Sequence, residues 1–411
     1  MQRKWITIAF IGIFSTQIEA TVIYDDGGLH TISGVVVDDI LLEHGSDLNV
    51  EGFAFIQPLA GAPAIVQDNT SPPAGPSTIN LSGNATVMGE ILYRRWFNED
   101  SIVTIGDNAM IVGQGEYISG SGRGAVSGMR RAEVSGNARL LGAHNAVDGG
   151  SAINNRSSGA LFVSVSGGEI TGGNGGQTGG DGISGRFDVV NIEMTGGVIQ
   201  GGTGGNEGGH GIGVPDIAIG TISGGEIIGG NGGQAGGHAL FSDAGFDLNI
   251  TGGEFQGGNG GNTGGDALRL HSSFFDPGTA TISGGSFDAG VGLFDDGWLL
   301  YLAGMGGNID ITGGLFGYGN IGNGFGIFRG AHVNVYGWDL SIVDGLLTGF
   351  LMDNSWIETP VSLAFNEFST LGTISLFNTP HPSSSVPEPS TLLLMAIGIA
   401  GIGIAKRKRT S

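Results

Sequence analysis

Short runs of alternating apolar and polar residues recur along most of the chain, and glycine closes each run. The clearest series is VSGGEI at Val165, MTGGVI at Met194, ISGGEI at Ile222, ITGGEF at Ile250, ISGGSF at Ile282 and ITGGLF at Ile311, at successive offsets of 29, 28, 28, 32 and 29 residues. A second series keeps the same interval: GGNGGQTGGDGI, GGTGGNEGGHGIG, GGNGGQAGGHAL and GGNGGNTGGDAL. Alternation of period two over so few residues is the signature of strands. Paired glycines break helices and supply turns with positive φ. A sequence period of this length signals a solenoid, whose single coils cannot bury a core and must stack to do so. The pattern therefore predicts an all-β chain, a right-handed parallel β-helix of about 28–29 residues per coil with neighbouring coils about 4.8 Å apart.

Two internal ladders follow from the alignment. One is Val165, Met194, Ile222, Ile250, Ile282 and Ile311; the other is Ile170, Ile199, Ile227, Phe255, Phe287 and Phe316. Burial of each such side chain contributes about 1.5–3 kcal/mol. The column Ser166, Thr195, Ser223, Thr251, Ser283 and Thr312 is expected to face outward or sit at a corner. Asn174, Asn231 and Asn259, with Thr203 between, form a polar column whose amides are expected to bond up the stack.

Before residue 165 the repeat loosens. LSGNATVMG at Leu81, IGDNAMIVG at Ile105 and VSGNARLLG at Val134 resemble one another, and LHTISGVVV and LNVEGFAFI read as earlier coils. QPLAGAPAIVQDNTSPPAGP, Gln57 to Pro76, reads as a loop carried on one corner. VNVYGWDL, LTGFLMDNSWI and GTISLF read as closing strands, with Trp338, Trp356 and Phe377 expected to cover the end, where an open edge invites pairing. The expected organisation is residues 21–164 as irregular coils, 165–340 as the regular solenoid, 341–377 as closing strands and 378–385 as a Pro/Ser linker.

Composition narrows the function. Of 411 residues 84 are Gly, without the every-third-residue period of collagen, and only 13% are charged while 39% are hydrophobic, which argues against simple disorder. The formal net charge is −22. Six of the basic residues lie at the two ends; between them are ten arginines and no lysine. An acidic interior of this kind excludes nucleic acid as a partner. No cysteine is present, so packing and backbone hydrogen bonds hold the fold.

The ends carry addresses. Residues 1–20 begin MQRKWITIAFIGIF, a short positive region followed by an apolar run, with Ala20 as the expected last residue of a secretory signal peptide. An uncleaved anchor is the alternative, although the apolar stretch is short for a membrane span. Residues 386–411 read VPEPSTLLLMAIGIAGIGIAKRKRTS: the motif Val386, Pro387, Glu388 and Pro389, an apolar run, then the basic tail Lys406, Arg407, Lys408 and Arg409. The run reads as a transmembrane helix whose basic tail stays on the cytoplasmic side. These residues resemble the PEP-CTERM sorting domain of proteins exported by Gram-negative, exopolysaccharide-producing bacteria. That resemblance implies a pause in the inner membrane, processing by an exosortase-type enzyme and delivery to the cell surface or matrix.

Candidate chemistry is spread along the repeat. Asp181, His210, His238 and Asp266 share one position; Glu226 and Glu254 share another, with Glu169 two coils before Glu226; Arg186 and Arg269 follow the Asp positions closely. Stacked carboxylates repel unless solvated, protonated or bridged by a cation, so Asp266, Glu254 and Glu226 are weak candidates for Ca²⁺. The simpler reading is a row of solvated turn residues repeated because the coil repeats. The glycine-rich segments are similar to Ca²⁺-binding nonapeptide repeats of secreted toxins but lack the required Asp after GGNG. No GxSxG, HExxH or P-loop motif is present. The expected function is that of a non-enzymatic, adhesin-like surface or matrix protein without a cofactor, with exopolysaccharide or cell-surface matrix as candidate partners. The alternative is a carbohydrate-active β-helix enzyme, such as a polysaccharide lyase or hydrolase. The discriminating feature is a single patch where acidic and basic residues converge across neighbouring coils.

Overall fold

The computed structural model describes residues 21–380 apart from 59–61, 69–76, 95–100, 118–120, 156–158, 186–188, 274–275, 277, 305, 318–322 and 364–370. The signal segment and the sorting segment, with both of their expected helices, lie outside the described residues. Every regular element among the described residues is a strand. Among the described residues no helix is long and apolar enough to cross a membrane.

The chain is a parallel β-solenoid. A representative coil starts with Leu240–Ser242 in one sheet and continues through Gly245–Ile250 and Glu254–Gln256 in a second sheet. A glycine-rich turn then leads to Leu268–Ser272, which lies in parallel register on the starting strand. Both expected ladders form. Val165 faces Met194, then Ile222, Ile250, Ile282 and Ile311 in turn. Ile170, Ile199, Ile227, Phe255, Phe287 and Phe316 pair in the same way, and all twelve side chains are buried. The phenylalanines stack at centroid separations of 4.9 and 4.8 Å, the coil spacing itself.

The first ladder extends beyond the regular repeat. Ile32, Val50, Leu81, Ile105 and Val134 lead unbroken into Val165, so the front coils share one core with the later ones. The segment Gln57 to Pro76 is more than a loop. Ile65–Gln67 is a buried strand pairing with Ile40–Leu42 on one side and Ile91–Tyr93 on the other. Flanking Pro and Gly hide it in the sequence, but three residues, all buried, suffice for a rung when both neighbours are present.

Glycine is obligatory at two kinds of position. The second glycine of each Ser/Thr-Gly-Gly corner, for example Gly225 at φ 88°, has positive φ where the chain bends within the second sheet. In the glycine-rich turns the constraint is proximity: a Cβ on Gly208 would lie 1.9 Å from the Gly230 carbonyl oxygen one coil away. The glycine-rich segments are therefore close-packed main chain.

Polar columns behave in two ways. The Ser/Thr column points outward as expected, with Ser166, Thr195, Ser223, Thr251 and Ser283 exposed and Thr312 half-buried. Asn174 and Asn259 do not stack amide on amide. Their Oδ1 atoms accept the backbone N–H of the same position one coil on, Thr203 at 2.9 Å and Val291 at 2.8 Å. A side-chain amide ladder does exist in the front coils, where Asn137 donates to Asn108 and Asn108 to Asn84. At the far end the strands His332–Val343, Leu346–Leu351 and Trp356–Ser362 turn antiparallel. Trp338 is buried there, while Trp356 and Phe377 remain 40% and 45% exposed, so the end is only partly covered.

Candidate functional site

The column Asp181, His210, His238 and Asp266 lies just before the first-sheet strand of each coil. It is not a row of solvated turn residues. Asp266 is buried, and the column is bonded end to end: His210 N–H donates to Asp181 Oδ1 at 2.8 Å, His238 N–H to His210 Nδ1 at 3.0 Å, and Asp266 N–H to His238 Nδ1 at 2.8 Å. Trp298 N–H closes the series on Asp266 Oδ1 at 2.7 Å. At this corner the sheet ladder is interrupted, so each main-chain N–H needs a side-chain acceptor from the coil before. Asp, Asn and neutral His all provide one.

The bonding fixes the histidine state. A ring whose Nδ1 accepts an N–H carries its proton on Nε2 and is neutral. His238 Nδ1 also lies 3.4 Å from Asp266 Oδ2, but two acceptors face each other there and the contact is not an ion pair. Burial pushes both imidazoles down, and the Arg269 guanidinium pushes the same way on each, while protonating one ring of the group would further disfavour protonating the next. The Asp181 carboxylate opposes this at His210. Burial pushes the Asp266 carboxyl up to about 6, against the opposing pull of the Arg269 guanidinium and the Trp298 N–H.

These shifts make opposite contributions to stability. The two histidines, with folded-state pKa values below the ordinary 6.5, stabilise the fold above that pH and lose the contribution as the pH falls. Asp266 contributes most below its ordinary 3.8 and loses that contribution as the pH rises through about 6. Asparagine supplies the same acceptor without titrating, as Asn174 does. The melting temperature of the wild type should therefore fall between pH 7 and 5.5, and that of a His210→Asn/His238→Asn variant should fall less. Equal acid sensitivity in the two would remove the histidine column as its source.

Beside this column a cleft of about 570 Å³ opens on the outer face of the first sheet. Phe241, Arg269 and Tyr301 occupy one register position on three successive coils. Arg269 donates from Nη1 to Asp266 Oδ2 at 3.1 Å and lies over the Tyr301 ring, 4.4 Å from its centroid. Trp298 meets Tyr301 edge to face at 6.4 Å. His271 Nδ1 bonds to Asp243 Oδ1 at 2.7 Å, and Asp295 and Asp296 complete the rim. Acidic, basic and aromatic groups thus converge across neighbouring coils.

The sequence-derived candidates divide accordingly. Asp266 and Arg269 meet in the cleft, joined by His210 and His238. Glu226 and Glu254 face each other in register on the second sheet, so Asp266 is not brought together with them. The described residues contain no group of three or more His, Asp or Glu placed to hold a metal ion. Arg186 and the sorting residues Val386 to Pro389 and Lys406 to Arg409 lie outside the described residues. Phe241, Tyr301, Trp298, His271 and Asp243 escape the sequence reading. Their signal is one residue beyond the aligned GGHAL and GGDAL motifs, where Phe241 and Arg269 follow directly.

Residues 385–409 match the family model of the PEP-CTERM protein-sorting motif. That motif implies an exported or surface protein processed by an exosortase-type membrane enzyme. No curated protein and no solved structure matches the chain.

Proposed function

We propose that this is an adhesin-like surface or matrix protein, which holds saccharide polymer in the cleft around Arg269 and does not turn it over. The carrying observation is the row Phe241, Arg269 and Tyr301, one side chain per coil on three successive coils. Coils repeat at about 4.8 Å, close to the length of one sugar ring, so a linear glycan lying along the solenoid axis meets a new side chain at each unit. Aromatic faces stack on the apolar faces of sugar rings, and the polar groups between them fix orientation. The row ends at Gly213 and Gly326, which carry no side chain. The coil takes the right hand usual for parallel crossovers, and the row alternates with the buried Leu240, Leu268 and Leu300, so it lies on the outer wall. In the same reading the C-terminal helix holds a membrane intermediate until the sorting segment is removed.

The enzymatic reading has one observation in its favour, the carboxyl of Asp266 raised to about 6 in a cleft. Yet Asp266 is buried and both its oxygens already accept hydrogen bonds, which favours a structural anchor over a proton donor. Affinity electrophoresis against a panel of polysaccharides tests the binding reading. Tyr301→Ala should weaken retardation about ten-fold, roughly 1.4 kcal/mol. Release of reducing ends from the same polymers by the wild type would replace binding by catalysis.

A further inference from the structure

We propose that the saccharide held in the cleft carries free amino groups, an inference that rests on the glycan-binding reading above. Four carboxyl groups border the cleft, Asp243, Asp266, Asp295 and Asp296, and the one Arg or Lys lining it among the described residues, Arg269, is already engaged by Asp266; Arg329 acts on His271 from outside the lining. The three histidines that face it do not offset this charge, because burial holds His210, His238 and His271 below the ordinary histidine range. The whole chain adds a field of the same sign, with a formal net charge of −22. A uronate polymer is repelled on both scales.

The carboxylates are oriented as acceptors. Asp243 is held through Oδ1 by His271, Asp295 through Oδ1 by Asn323 at 2.6 Å, and Asp296 through Oδ1 by the Gly292 N–H at 2.9 Å. Their Oδ2 atoms have no hydrogen-bond partner among the described residues. Acceptors in excess call for a ligand rich in donors, and an ammonium brings three. Trp298 on the cleft wall adds cation–π attraction, which a neutral hydroxyl does not receive.

The test is calorimetric titration of the full-length protein in detergent with glucosamine hexamer, N-acetylglucosamine hexamer and galacturonate hexamer. The glucosamine oligomer should bind at least about ten-fold more tightly than its acetylated counterpart. Its affinity should fall with added salt, and Asp243→Asn/Asp296→Asn, which keeps both Oδ1 acceptors, should remove most of the difference. Equal or tighter binding of the acetylated or the uronate oligomer overturns the amine proposal and leaves glycan binding standing. Equal weakening by Glu193→Gln, an exposed carboxylate on the other sheet, reduces the effect to diffuse charge attraction and also overturns it. Absence of binding by all three oligomers and by the polysaccharide panel removes the glycan reading itself.

Discussion

Ile250→Asp should abolish the folded state of the coils around it. Ile250 is fully buried and faces Ile222 on one side and Ile282 on the other. A carboxylate there has no polar partner, and desolvation plus lost packing cost on the order of 4 kcal/mol or more. A typical domain has only about 5–15 kcal/mol in total. Because coils contact only their neighbours, the loss breaks the stack locally and exposes two new edges. Thermal melting by circular dichroism and limited proteolysis read the result. Asn262→Asp is the control: Asn262 is exposed in the glycine-rich turn, and surface changes of this kind stay within about 0.5 kcal/mol. Equal effects at the two positions would show that the inward and outward faces are misassigned.

The second large effect concerns the address rather than the fold. Replacing Pro387, Glu388 and Pro389 together by alanine should leave the full-length chain in the membrane fraction, while the wild type reaches the surface shorter by about the last 25 residues, the span of the matched sorting motif, 385–409. Lys406 to Arg409 resist translocation because carrying four charges across the bilayer is costly, so release depends on cutting. Mass spectrometry of surface-exposed wild-type protein decides the matter. A mature chain that still ends in the basic tail would mean a plain anchor without sorting by cleavage.

How much was legible follows from what a repeat makes visible. The two ladders appear in the sequence because register repeats the same residue class at the same interval, so Val165 to Ile311 can be aligned without any structure. The strand Ile65–Gln67 could not be found this way, since one short rung among prolines has no partner in the linear sequence. The cleft was half legible. Asp266 and its column stand out as repeated positions, but their burial does not, because polar residues in a glycine-rich turn look solvated until the neighbouring main chain is in place. Phe241, Arg269 and Tyr301 vary from coil to coil, and a search for repetition passes over a row where the coils differ. The cleft sits where the repeat is broken, and the row from Phe241 to Tyr301 is joined by strand register.

The side-chain acceptors at the corners also bear on inheritance. A coil such as the one from His238 to Gly265 takes an acceptor from the coil before and hands one to the coil after, at His238 and again at Asn259. A gene that copies this unit by unequal recombination gains a coil whose donors and acceptors already match at both faces. The coil holding Val291 and Trp298 breaks that rule, for it receives both bonds and its two corner residues offer no side-chain oxygen or imidazole onward. Duplicating it would give the new coil no side-chain acceptor at either corner, and Trp298, one of those two corner residues, lines the cleft.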